Sequence, residues 1–68
     1  MHTGKVRNYD GRKGYGFIEP DDGGKDVFVH ISALDRAYLG GLKQGQKLQF
    51  DLEIDRFGRP TAANLQLI

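Results

Sequence analysis

Four residues with flat side chains, Tyr15, Phe17, Phe28 and His30, recur at alternate positions in two short stretches, Lys13-Gly-Tyr-Gly-Phe-Ile18 and Asp26-Val-Phe-Val-His-Ile31. Successive side chains of a strand point to opposite faces. If both stretches are strands, Tyr15 and Phe17 share one face with Gly16 and Ile18 behind them, and Phe28 and His30 share one face with Val27 and Val29 behind. Branched aliphatics build the core of a half-buried sheet, so the rings are left on the solvent side. Exposed rings suit a flat ligand, and every nucleobase offers a stacking face. Lys5, Arg7, Arg12 and Lys13, against Asp10 alone, add a local excess of three positive charges beside the first two rings. Basic residues interleaved with rings point to phosphate contact. The competing reading packs the rings under a loop or at a homodimer interface, with His30 capping a surface.

Other chemistries find little support in the chain. There is no cysteine, Ser32 is the only serine, and no base stands at a recognised spacing from a nucleophile. An enzyme is therefore not expected. His2 and His30 lack partner ligands, so neither a metal site nor any other cofactor is expected. Lys13-Gly-Tyr-Gly lacks the ending and the following helix of a phosphate loop. Its glycines fit a close approach of backbone or nucleotide instead.

The elements that must position these residues read as five strands and almost no helix. Strand one is expected near Gly4 to Tyr9, closed by Asp10-Gly11, and strand two from about Gly14 to Glu19, ending at Pro20. Asp21-Asp22-Gly23-Gly24 is a hairpin turn composition, with strand three over about Asp26 to His30. Ser32-Ala-Leu-Asp35 has the spacing of a capping box, predicting a turn or two of helix through Leu39 that ends at Gly40-Gly41. In strand four Leu48, Phe50, Leu52 and Ile54 are expected to point inward, with Lys47, Gln49, Asp51 and Glu53 outward. After the turn Phe57-Gly58-Arg59-Pro60, strand five places Ala63, Leu65 and Leu67 on one face.

Sixty-eight residues bound the chain to one domain, 1–68, near the lower limit for folding without a disulfide or metal. No apolar run reaches the length of a membrane span, and the N-terminus lacks a secretory stretch, so a cytoplasmic protein with no membrane partner is expected. The net charge of +1 is too balanced for binding a polyanion by charge alone. Five short antiparallel strands favour a small closed barrel, which leaves no sheet edge exposed. The all-β candidates are a five-stranded Greek-key barrel of the OB-fold class and an SH3-like barrel.

A resemblance separates them. Lys13 to Ile18 resembles a first ribonucleoprotein motif and Val27 to Ile31 a second, with Asp-Asp-Gly-Gly-Lys-Asp between them. Together with Ser32-Ala33-Leu34, Gly45-Gln46 and Pro60-x-Ala-Ala-Asn64, they resemble the bacterial cold-shock proteins over nearly the whole chain. The resemblance implies an OB-fold barrel of cold-shock type that binds single-stranded RNA and DNA with low sequence specificity and acts as an RNA chaperone. Carried over by position, it implies a stacking platform of Tyr15, Phe17, Phe28 and His30. Arg7 and Lys13 would meet phosphates or base edges, and Asp26 would accept hydrogen bonds from bases.

The chain departs from that pattern in two places. Asn8-Tyr9 stands where the family has tryptophan then phenylalanine, and Ile31 where the second motif ends in phenylalanine. Losing two stacks would cost on the order of 2–6 kcal/mol, so binding is expected to be kept but weakened. Tyr38 and Phe57 are the replacement rings on offer, and Asn8 is expected to trade stacking for hydrogen bonding. A monomer is expected, with a domain-swapped dimer as the alternative open to a small barrel with a long central loop. The alternative function is a cold-shock fold repurposed as a protein-interaction module. A third reading makes the chain one domain of a larger protein whose other domains assist its binding.

Overall fold

The computed structural model describes residues 2–68. Five strands, β1 (His2–Asp10), β2 (Tyr15–Pro20), β3 (Val27–His30), β4 (Lys47–Ile54) and β5 (Pro60–Leu67), close into a barrel in the order β1-β2-β3-β5-β4. One short helix, α1 (Ile31–Arg36), follows β3. Four of the pairings are antiparallel, while β3 meets β5 in parallel through Phe28 and Thr61. That parallel contact joins the hairpin halves and leaves no free edge among the described residues.

The core is Val6, Ile18, Val27, Val29, Leu34, Leu48, Phe50, Ala62 and Leu65, all buried. Alternation in β2 and β3 delivers Ile18, Val27 and Val29 to it as expected. Alternation fails in β1 and β5 because each strand carries an extra residue. Val6 pairs with Ile18 but Asn8 pairs with the adjacent Phe17, so Arg7 is a bulge. In β5, Gln66 pairs with Gln49 and Ala63 with Asp51, leaving two residues opposite one, and Asn64 there has φ of 52°. The bulge breaks the Ala63, Leu65, Leu67 face. Ala62 and Leu65 are the buried pair, Ala63 is half-buried, and Leu67 is 48% exposed.

Strand four needs a second correction. Leu48 and Phe50 are buried, but Leu52 is 43% and Ile54 65% exposed. Their parity is right, yet the end of β4 runs on toward its turn, where nothing covers them.

The helix begins earlier and ends earlier than the capping-box reading predicts. His30, not Ser32, is its N-cap: the Nδ1 atom accepts the main-chain N–H of Ser32 at 3.2 Å. The C-cap is Ala37, and Gly40-Gly41 lies beyond it. Tyr38 takes the left-handed position, with φ of 60°, normally filled by glycine. Its N–H bonds to Asp35 O at 3.1 Å and that of Leu39 to Leu34 O at 2.9 Å, the paired closure of a Schellman turn. Leu39 then packs against the core.

Two stability outcomes test this packing. Tyr38→Gly is expected to raise the urea-unfolding free energy by about 1 kcal/mol, because a left-handed backbone strains a side chain bearing a Cβ. Leu48→Ala should lower it by about 2–5 kcal/mol through the cavity left behind. That is a large part of what a domain this size holds, so much of that variant should be unfolded at 25 °C.

Candidate nucleic-acid interface

The pairing of β2 with β3 sets Tyr15 opposite His30 and Phe17 opposite Phe28. Phe28 is the hub of the resulting cluster. Its ring centroid lies 5.7 Å from Tyr15, 5.8 Å from Phe17 and 6.4 Å from His30, with Tyr15 and Phe28 inclined by only 23°. Phe17 meets Tyr15 edge-on at 6.2 Å. Offset and edge contacts of this kind hold rings by about 0.5–1.5 kcal/mol beyond area burial. The three aromatic rings are half-buried against each other and His30 is exposed. The underside of the hairpin is pinned at Gly16, where a Cβ would meet the Asn8 carbonyl and come within 2.8 Å of Tyr9 Cα. That close approach of β1 and β2 is what keeps Asn8 level with the rings.

The bulge at Arg7 supplies the rest of this edge. Without it Asn8 would share the inward parity of Val6. With it, Asn8 turns outward opposite Phe17, and Tyr9 turns toward the core. Asn8, Lys13, Tyr15 and Phe17 line one hollow of about 310 Å³, together with Tyr9 and Asp10. Lys13 is brought there by an Asp10 turn, whose Oδ1 accepts the N–H groups of Arg12 at 2.9 Å and Lys13 at 3.2 Å.

Arg7 and Asp26, expected to act separately, are paired with each other. Arg7 Nε donates to Asp26 Oδ2 at 2.8 Å, and Glu19 stands 3.6 Å from the same guanidinium. Both partners remain substantially open to solvent, so the pair is worth little to stability and can exchange with a charged ligand.

Tyr38 and Phe57 are not brought to the platform. They are 95% and 82% exposed, and neither makes a ring contact with the cluster among the described residues. Ile31 is also partly exposed and lies against Gly14.

The residue that sequence reasoning missed is Arg59. Its guanidinium carbon sits 4.2 Å over the centroid of Phe28. Asp55 holds it there: one carboxylate oxygen accepts the main-chain N–H groups of Phe57 and Arg59, both at 2.9 Å, and the other accepts Arg59 Nε at 3.0 Å. The available signal was an acid four residues before an arginine in a Gly-containing turn. The turn's place over Phe28 follows only from the parallel pairing of β3 with β5. Chiefly through the Arg59 main-chain N–H, these donors hold the Asp55 carboxyl below the usual carboxylate range, against the opposing effect of burial. Asp21, bonded by Lys47 and Thr3 at the barrel's other side, is lowered likewise.

The fold and this face define a small OB-type barrel that presents a ring cluster, edged by cations, on its second and third strands. The model of the 'Cold-shock' DNA-binding domain matches residues 2–68. The chain is 55% identical over 67 residues to a probable cold shock protein, y4cH, of Sinorhizobium fredii, which covers 97% of each chain. It is 53% identical to the cold shock-like protein CspA of Rickettsia bellii, over 96% of this chain and 91% of that one. It is 46% identical to the cold shock-like protein CspG of Escherichia coli, over 93% and 89%. The chain belongs to the cold-shock domain family, whose members bind nucleic acids.

A pH series checks the Asp55 turn. A carboxyl lowered in the folded state stabilises above its unfolded value of about 3.9, and that contribution is lost as pH falls through the folded value. The parent's urea midpoint should therefore drop as pH falls below about 4. Asp55→Asn should flatten part of that acid limb, leaving the share that Asp21 contributes.

Proposed function

We propose that this domain binds single-stranded RNA and DNA by stacking unpaired bases on Tyr15, Phe17, Phe28 and His30, and that it melts RNA secondary structure by doing so. The observation that carries the reading is the outward cluster centred on Phe28, over which the Arg59 guanidinium lies. Each stacked base is worth about 1–3 kcal/mol on such platforms. Three or four stacks therefore give useful affinity at a net charge of only +1. Low sequence specificity follows, because every base has a π-face.

The remaining candidates take roles from where they stand. Lys13 and Arg7 lie on the β1 side of the rings and meet phosphates. Asp26 has an oxygen that Arg7 does not use and can accept a base N–H. Asn8, opposite Phe17 where the family has an aromatic residue, offers an amide to a base edge instead of a stack. The Nδ1 atom of His30 is engaged by Ser32, so its ring face and Nε2 are what a ligand meets. A base entering at Phe28 takes the space of the Arg59 guanidinium. The side chain then swings outward on its Asp55-held main chain, where it covers the base or meets a phosphate. Tyr38 and Phe57 stand too far out to join the cluster as it is built, and contribute when a longer strand bends over the barrel.

Fluorescence anisotropy of labelled oligothymidylate and a mixed-sequence RNA tests this. Saturable binding is expected, with log affinity falling against log salt at a slope of about −2 for three phosphate contacts on a single strand. Phe28→Ala should weaken it by about 5- to 150-fold, the equivalent of 1–3 kcal/mol, and should unfold at higher urea than Leu48→Ala. No binding at low salt would sink the reading and leave protein interaction as the function of this face.

A further inference from the structure

The ring platform does not stop at β3. Across the sheet, Phe17 pairs with Phe28, Phe28 with Thr61, and Thr61 with Glu53, so one continuous row runs from β2 through β3 and β5 to β4. Asn8 begins the same row on β1. Beyond Phe28 the row turns from aromatic to polar and enters a hollow of about 150 Å³ between β5 and α1. Its walls include His30, Ser32 and Arg36 on one side and Glu53, Thr61 and Asn64 on the other. Asn64 lines it because of the β5 bulge, and its amide is held to Asp51 at 2.9 Å. Glu53 and Arg36, of opposite charge, face this hollow yet form no ion pair with each other or with any other residue among those described. Asp26 and Asp55, beside the rings, are by contrast each tied to an arginine.

Resting on the stacking reading above, we propose that this hollow is a base-reading subsite, selective for guanine, for the nucleotide that follows the stacked ones past His30. The volume is well below that of a pocket for a whole drug-sized ligand and suits one base entered edge-first. A carboxylate accepts two hydrogen bonds side by side, and guanine presents two adjacent donors, N1–H and the N2 amino group, on its Watson–Crick edge. Adenine places an acceptor beside its amino group, cytosine likewise, and thymine or uracil has one donor between two carbonyls. Glu53 therefore pairs fully with guanine alone, while Arg36 donates to guanine O6 from the helix side. Unpaired single strands expose this edge, which is where sequence is read in them.

The test uses oligothymidylates carrying one guanine, adenine or inosine, moved along the strand, titrated into parent, Glu53→Gln and Arg36→Ala proteins. The readout is the ratio of affinities at each position. In the parent, guanine should exceed adenine by about 5- to 150-fold at one position, the range of a bidentate base contact, with inosine, which lacks the N2 amino group, between them. Glu53→Gln should bring guanine and adenine within about twofold of each other, and Arg36→Ala should lower the ratio. Amide shifts of Ser32–Arg36 and Ala62–Asn64 should respond to the guanine strand and not to plain oligothymidylate. Equal affinities at every position in the parent, or a guanine preference that survives Glu53→Gln, would overturn the subsite while the stacking reading stands. Failure of plain oligothymidylate to bind would overturn both, and is recognised by that control.

Discussion

Two added residues decide which side chains this barrel shows to solvent. Five short strands close only if some of them bend, and a bulge bends a strand at the cost of one ladder position. Arg7 in β1 and the Asn64 turn in β5 are those positions. Each reverses the parity of the strand beyond it. In β1 the reversal keeps Val6 in the core, sends Tyr9 inward after it, and leaves Asn8 beside Phe17. In β5 it lets Ala62 and Leu65 both reach the core from positions three apart. The outward faces of β1 and β5 then flank the rings of β2 and β3 on either side.

This geometry explains where sequence reading succeeded. Strands β2 and β3 have no bulge, so simple alternation of rings against Ile18, Val27 and Val29 sorts core from platform directly. The family motifs lie in these same two strands, and the barrel class followed from them. Alternation misled in β4 and β5 for different reasons. Leu52 and Ile54 keep inward parity but outrun the barrel, and Ala63 and Leu67 lose their face to a bulge that no local residue pattern announces. The helix start was misplaced because a histidine ring nitrogen caps it, a role that serine or aspartate usually fills. Pairings between distant segments were the least legible. Arg7 with Asp26, and Arg59 over Phe28, depend on which strands become neighbours around the barrel.

Those arginine contacts also set the electrostatic character of the face. A net charge of +1 suggests weak attraction for a polyanion, and three of the cations, Arg7, Lys47 and Arg59, are already partnered by acids. The pairs are exposed, so each holds its partner by little. An arriving phosphate can replace a carboxylate at nearly even exchange, which keeps long-range charge from dominating affinity. On the proposed stacking mode, selectivity for unpaired over paired strands would rest with the rings, since only unpaired bases can lie on them.

Arg59 sharpens that balance. Its guanidinium over Phe28 shields the central ring from water, and a contact of this type is worth about 0.5–1 kcal/mol at an exposed site. A stacked base is worth about 1–3 kcal/mol, so displacement is favourable without being steep. Because Asp55 grips the main chain of Arg59 as well as its side chain, a cation displaced by a stacking base would remain within reach of that strand. In the proposed stacking mode the same residue would therefore oppose entry slightly and support the bound strand afterwards. Such an arrangement favours many moderate, exchangeable contacts over one tight anchor, which is what the proposed capture and release of unpaired segments would require.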